Sequence, residues 1–304
     1  MIVIEVLAGG VRGGTAILYA ALGETLAERA GIINLGTEGS MLAGALTAYA
    51  ITAETGSPWA GVVTGALAGA LLAAVHVFMV VARGANQLAT GLVVLFLGGG
   101  LTAMFGAAYV GRSITPFRPY AIPLLSDIPG LGPVLFDHDP LVYLSYLLAP
   151  ALWWLLFRSR WGLIVRGAGE HPAALSAYGH SPKLVRYLAV IGGGLLTGIG
   201  GAHLSTAYAN AWFENMTTGR GFIAVALVIF AAWHPLRAVG GAYLFGAALA
   251  LSPALQARGY GFNQFVLDAL PYLVTIAALI VLGRRRINAA PEDLSRVFDL
   301  TPSR

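Results

Sequence analysis

The chain reads as an all-α, polytopic transmembrane helical bundle of about eight to nine spans with one broken or re-entrant segment, and three features of the sequence carry that reading. Of its 304 residues 57% are hydrophobic and 11% charged, against roughly 25% charged in an ordinary soluble domain. Apolar runs recur at roughly the 20-residue length that a helix needs to cross hydrocarbon while satisfying its own backbone. Charged and turn-forming residues collect between those runs rather than inside them.

The runs lie at 3–23, 39–54, 58–82, 86–108, 140–157, 187–209, 221–235, 238–256 and 265–283. Gly9, Gly10, Arg12, Gly13 and Gly14 interrupt the first, which is expected to begin as a surface segment and so to bring the count from nine to eight. No basic stretch with a small-residue cleavage site precedes it, so it is expected to persist in the mature chain. The run at 221–235 is short for a full crossing and fits a half-helix or a tilted one. Between 112 and 140, Asp127, Asp137, Asp139 and six prolines mark a loop without regular helix. Small residues recur every fourth position at Gly61, Gly65 and Gly69 and at Gly194, Gly198 and Ala202, a spacing that lets membrane helices approach closely. Beyond 283 the chain turns polar, and Pro291 and Glu292 suit the first turn of a short helix at 292–300. Residues 1–283 are therefore read as the transmembrane domain and 284–304 as a tail.

Basic residues set the orientation. Thirteen of the eighteen (Arg29, Arg83, Arg158, Arg160, Arg166, Lys183, Arg186, Arg237, Arg284, Arg285, Arg286, Arg296 and Arg304) fall on one set of alternate loops. Arg12, Arg112, Arg118, Arg220 and Arg258 fall on the other. Positively charged loops stay inside, so the C-terminus is expected in the cytoplasm and the 112–140 loop outside.

Several chemistries are excluded. The net charge of +4 is spread over segment ends rather than gathered in a patch, which argues against nucleic acid. With no cysteine there is no thiolate metal site, haem linkage or thiol nucleophile. The histidines lack metal-ligand spacing, and no H-E-x-x-H, nucleophile elbow or pair of intramembrane aspartates is present. No catalytic set, metal site or cofactor is expected. No G-x-x-x-x-G-K-[ST] occurs, so the chain does not itself cradle ATP.

Two segments concentrate the remaining polar residues. Between Glu24 and Gly39, Glu24, Glu28, Arg29, Asn34 and Glu38 stand between two apolar runs. A charge at mid-membrane depth costs about 2.5–3.5 kcal/mol, so these must pair, sit at an interface or face water. Gly31, Gly36 and Gly39 allow the helix to break there, as helices do where backbone lines a transport cavity. An ordinary connecting loop is the alternative, and the apolar Ile32, Ile33 and Leu35 argue against it. The second segment, 159–186, reads as a short amphipathic helix with Pro172 at its first position, Ala173, Ala174, Leu175 and Ala177 within it and Gly179 closing it in a left-handed cap. It fits either a docking knob or a loop held by anionic lipid. His203 lies mid-helix among glycines and alanines, either bonding a neighbouring helix or lining a pore. Tyr208, Trp212 and Phe213 fit an interfacial belt.

The stretch from Glu28 to Leu42 resembles a segment of the permeases of ABC importers for nucleosides and simple sugars, a broad group that includes ribose and branched-chain amino acid permeases. The 159–186 loop is similar to that family's at Gly162, Arg166, Ala168, Gly169, Pro172, Ala173, Ala174 and Gly179, with Trp161 standing where the family has phenylalanine. A third block, Gly219 to Leu236, resembles the family's stretch between its last outer loop and the next inner turn. The departure is at 92–97, wholly apolar here, where the family often carries an asparagine after the block Asn86 to Gly91.

The resemblance implies a bacterial or archaeal cytoplasmic-membrane permease working as a homo- or heterodimer, with ATP-binding subunits and an extracytoplasmic substrate-binding protein. It implies nucleosides in preference to simple sugars, this chain being similar to the shorter of two paired permeases. Together with the glycine break it assigns Glu28, Asn34, Glu38, Gln87, Thr90 and His203 to the substrate pathway, and Arg166, Glu170, Pro172, Ala173, Ala174 and Gly179 to coupling with the ATPase. A secondary transporter is the alternative; it would need inverted halves with matching intramembrane acids, and Glu38 has no clear counterpart, Asp268 being the nearest.

Overall fold

The computed structural model describes residues 2–259 together with 266, 269, 270, 273 and 291–294. Asp268, nearly all of the run at 265–283, the boundary at 283 and the end of the expected tail helix lie outside the described residues.

The first helix, α1 (Ile2–Arg29), is continuous over 28 residues, about 42 Å at 1.5 Å per residue. This corrects the expectation that its glycines would leave the start as a surface segment. They mark instead where α11 (Pro235–Gln256) crosses: a Cβ on Gly10 would sit 2.9 Å from the Ala247 Cα, and one on Gly9 would sit 2.8 Å from the Ala250 Cβ. A glycine repeat that looks like a breaker in one dimension is a close-approach face in three.

The chain turns back at 30–36 into α2 (Thr37–Thr55), then runs through α3 (Pro58–Val77), extended by a π-turn to Ala82, and α4 (Gln87–Gly106). The long connection between α4 and α6 holds the antiparallel pair β1 (Tyr120–Ala121) and β2 (Asp137–His138), with α5 (Leu131–Leu135) between them. After α6 (Pro140–Arg158) come the short α7 (Arg160–Glu170) and α8 (Pro172–Ala177), then α9 (Pro182–His203) with a π-turn to Tyr208. The 11-residue α10 (Arg220–Phe230) leads into α11. Helix starts follow local chemistry. Ser57, Asn86, Asp139, Ser159 and Ser181 each accept a backbone N–H at an N-cap, and proline opens α3, α6, α8, α9 and α11.

Among the described residues six helices are long and apolar enough to cross a membrane, extending over Ile2–Arg29, Pro58–Ala82, Gln87–Tyr109, Pro140–Arg158, Pro182–Tyr208 and Pro235–Gln256. Two of the expected runs do not qualify. The run at 39–54 becomes α2, which is long but carries Thr37, Glu38, Ser40, Thr52 and Glu54. It is buried along most of its length against α3, α4 and α9, and a helix shielded from lipid by protein has no need to be apolar. The run at 221–235 becomes α10, whose 11 residues reach about 16 Å, roughly half the 30 Å hydrocarbon core. The non-helical stretch before it holds Asn210, Asn215 and Thr218 at positive φ. A half-length helix preceded by irregular chain is therefore present, at α10.

α1 sits at the centre, against α9, α10 and α11, while α3 lies on the far side of α9. Of the expected small residues, Gly69, Gly194 and Gly198 form the seam where α3 meets α9, a Cβ on Gly198 lying 2.9 Å from the Ala66 Cα and one on Gly69 lying 2.7 Å from the Gly198 Cα, whereas Gly61 packs on Ala48 and Thr52 of α2. Around Gly100 on α4, by contrast, nothing lies within 4 Å of an added Cβ. Overpacking costs about 1–3 kcal/mol, so Gly198→Ala is expected to lower the apparent Tm in detergent by roughly 3–8 °C. Gly100→Ala, which gains helix propensity at no steric cost, should leave Tm level or raise it. A thermal-shift comparison checks both; equal behaviour of the two variants would contradict a backbone-contact seam.

Candidate functional site

The α1–α2 connection is built on its own polar atoms. Gly31 takes φ +88°, the left-handed conformation that ends α1. The Glu24 carboxylate, about two turns before the break, accepts the Asn34 N–H at 2.7 Å and the Thr37 hydroxyl at 2.9 Å. Asn34 Oδ1 accepts the Gly36 N–H at 2.9 Å, opening the way into α2. From α4, Gln87 accepts the Ile33 N–H at 2.8 Å and donates to the Gly31 carbonyl at 3.4 Å. His76 on α3 reaches the Ile33 carbonyl at 3.0 Å. Three helices thus satisfy a backbone that has left helical bonding inside an apolar surround.

Glu38, in the first turn of α2, serves a second break. Its carboxylate accepts the Thr217 hydroxyl at 2.5 Å and the N–H groups of Gly219 at 2.8 Å and Gly221 at 2.5 Å. Gly219 precedes α10 and Gly221 is its second residue, so an acidic side chain from one broken element caps the N-terminal end of the other. Gly221 has to be glycine, because its Cβ would lie 2.5 Å from the Glu38 Cα.

The far end of α10 returns to α1. Ala232 and Trp233 both hold left-handed φ values, 51° and 54°, which cost roughly 1–2 kcal/mol apiece for non-glycine residues. The turn is held by Arg29, which donates to the Trp233 carbonyl at 3.1 and 3.2 Å and to that of Ala232 at 3.4 Å, and by Glu28, which accepts the Trp233 indole N–H. Phe157, at the end of α6, lies beneath the guanidinium groups of Arg29 and Arg166, 5.3 and 5.4 Å from its centroid, and stacks on His234. Burial, then the charges of Arg237 and Arg29, push His234 below the ordinary imidazole value.

At the same end α7 and α8 form a protruding knob. Ser159 caps α7, Pro172 starts α8, and Gly179 closes it at φ +82°. Glu170, Ala173 and Ala174 are exposed, while Leu175 is buried. A groove of about 600 Å³ runs between the two helices, lined by Leu163, Arg166, Glu170, Ala174 and Tyr178 among others. The knob rests directly on the α1 break: a Cβ on Gly169 would lie 2.9 Å from the Gly31 nitrogen, so the two backbones touch without side chains between them.

Of the pathway residues expected from sequence, Glu28, Asn34 and Glu38 are 1%, 4% and 3% exposed and bonded as above. Gln87 joins Asn34 at the first break. Thr90 is buried and donates to the Asn86 carbonyl of its own helix at 2.8 Å. His203 stands apart from both breaks; fully buried, its Nε2 lies 3.4 Å from the Asp139 carboxylate that caps α6. Sequence reasoning passed over His76, Thr217 and Trp233. Only the position of Thr217 just ahead of Gly219 and a half-length run gave any signal of a cap.

The family described as branched-chain amino acid transport system / permease component matches residues 6–282. A putative glucose ABC transporter permease protein of Haloferax volcanii is 41% identical over 291 residues, covering 88% of each chain. A guanosine ABC transporter permease protein of Bacillus subtilis is 34% identical over 281 residues, 86% of this chain and 87% of that one. A nucleoside ABC transporter permease protein of Lactococcus lactis is 29% identical over 288 residues, 89% and 90%. No solved structure matches the chain. With two broken helices buried in a bundle of apolar spans and a family match over nearly its whole length, the chain belongs to the permease components of the branched-chain amino acid transport system family and is the translocation subunit of an ABC importer, not an enzyme.

Proposed function

We propose that this permease pairs with a second permease to enclose a pathway for a neutral solute carrying a sugar ring, handed over by an extracytoplasmic binding protein and driven by ATP-binding subunits that grip α7–α8. A nucleoside is the first reading, in line with the resemblance of the Glu28 to Leu42 stretch. A simple sugar is the second, favoured by the 41% identity to a relative named for glucose. The observation that carries the mechanism is the backbone contact between Gly169 on the knob and Gly31 at the break. A displaced knob cannot leave that break where it was. Glu28, Asn34, Glu38, Gln87 and Thr90 would form the wall beside the pathway, and His203 would brace its outer end.

The orientation rests on charge. The knob shares its end of the bundle with Arg29, Arg158, Arg160 and Lys183, and the tail segment at 291–294 lies against it; the positive-inside bias makes that end cytoplasmic. Counting the shielded α2 and the apolar run at 265–283 as crossings gives eight spans, and counting the half-length α10 gives nine.

Gly179→Val tests the docking role. Valine resists the left-handed φ that closes α8, at a cost of about 1–2 kcal/mol, so the knob should lose its shape while the spans stay inserted. In reconstituted transporter the expected result is ATP hydrolysis that continues with uptake reduced several-fold. Unchanged uptake per ATP and unchanged assembly would reject docking at this knob.

A further inference from the structure

Arg186, on the first turns of α9, has a place that membrane topology alone does not explain. Its side chain is only 19% exposed. Nε donates to the Ala30 carbonyl at 3.2 Å, at the end of α1, and Nη2 donates to the Ala168 carbonyl at 3.0 Å, on α7. Nη2 also pairs with the carboxylate of Asp293, in the tail segment 291–294. That segment is anchored: Leu294 is buried within the main core, and Glu292 lies 3.3 Å from His171 at the α7–α8 junction. Asp293 in turn lies against the break, its Cβ and Oδ2 each 3.4 Å from where a Gly31 Cβ would stand.

We propose that Arg186 is a positioning residue for transport, a clip that binds the end of α1, the end of α7 and the 291–294 segment into one body, so that movement of the knob reaches the break at 30–36. This rests on the reading of α7–α8 as the ATPase contact. The glycine contact between residues 31 and 169 can push but has no bond with which to pull. Arg186 supplies that bond, through one edge of a planar guanidinium that meets two carbonyls and a carboxylate together. A lysine carries the same charge but, as a single point donor on a flexible stem, lacks the fork that spans all three.

The test uses the whole transporter, with its ATP-binding and substrate-binding partners, in proteoliposomes. A reporter is placed by Leu35→Cys, a half-buried apolar position on the break, in a chain that has no other cysteine. The readouts are labelling by a water-soluble thiol reagent with and without ATP, ATP hydrolysis, and uptake of labelled guanosine and glucose. In the parent, ATP is expected to change the labelling rate at least about 5-fold. With Arg186→Ala that change should fall below about 2-fold and uptake about 10-fold, while hydrolysis continues; a 1.4 kcal/mol loss of coupling is one factor of ten. Arg186→Lys should recover only part of the response. Asp293→Asn, which keeps the shape of the site, should reduce the ATP response by about 2- to 3-fold even if Arg186→Ala fails to accumulate. A full ATP response and normal uptake in Arg186→Ala, or in Asp293→Asn where the alanine variant does not accumulate, would overturn the clip alone. A reporter that ignores ATP in the parent would overturn the moving break and the clip with it. Uncoupling by Gly179→Val alongside normal Arg186 variants would leave the docking reading standing without the clip.

Discussion

Glu38→Ala is expected to cut uptake by the assembled transporter at least about 10-fold, with the affinity of the separate binding protein for its solute unchanged. The carboxylate receives three donors from the start of α10: the Thr217 hydroxyl and the Gly219 and Gly221 N–H groups. Alanine would leave all three without their acceptor in a site that is 97% covered, since Glu38 is 3% exposed. Each abandoned buried donor costs about 1–3 kcal/mol, enough to let α10 slip from α2. Glu38→Gln keeps one acceptor oxygen but turns an amide N–H₂ towards backbone donors, so an intermediate loss is expected. Uptake assays in proteoliposomes, run beside equilibrium binding to the isolated binding protein, separate the two effects. A Glu38→Ala transporter with normal uptake would show that α10 needs no cap from α2.

The break at 30–36 and the cap at Gly179 were legible because each is a local event. Glycine next to charged residues in an apolar context, or proline followed seven residues later by glycine, constrains the backbone within one or two turns. The glycines of α1 were misleading for the same reason. Gly9 to Gly14 have equal power to break a helix or to admit a neighbour, and only the presence of α11 at Ala247 and Ala250 decides between them. α2 shows the limit of hydropathy, which asks whether a helix suits lipid when the surroundings of this one are α3, α4 and α9. The partners of Glu38 lie some 180 residues along the chain, and those of Arg186 at Ala30 and Asp293 lie 156 and 107 residues away. No pattern of spacing reports such pairs. Arg186 already has a sufficient explanation as one of thirteen basic residues expected inside, which hides the contacts it makes.

This chain forms a pathway but does not power it. It has no phosphate-binding loop, and the family to which it belongs consists of permease components. Uptake should therefore vanish without a partner, the largest effect expected of any manipulation here. The decisive measurement is accumulation of labelled guanosine, with glucose in parallel, by proteoliposomes that hold the permease with its second permease and its binding protein, with and without the ATP-binding subunit. ATP-dependent accumulation of one of the two solutes is expected only when that subunit is present, at least about 20-fold above the level without it, a difference of roughly 1.8 kcal/mol in apparent barrier. Accumulation by the permease alone, driven by an imposed proton or sodium gradient, would contradict it and identify a secondary transporter instead.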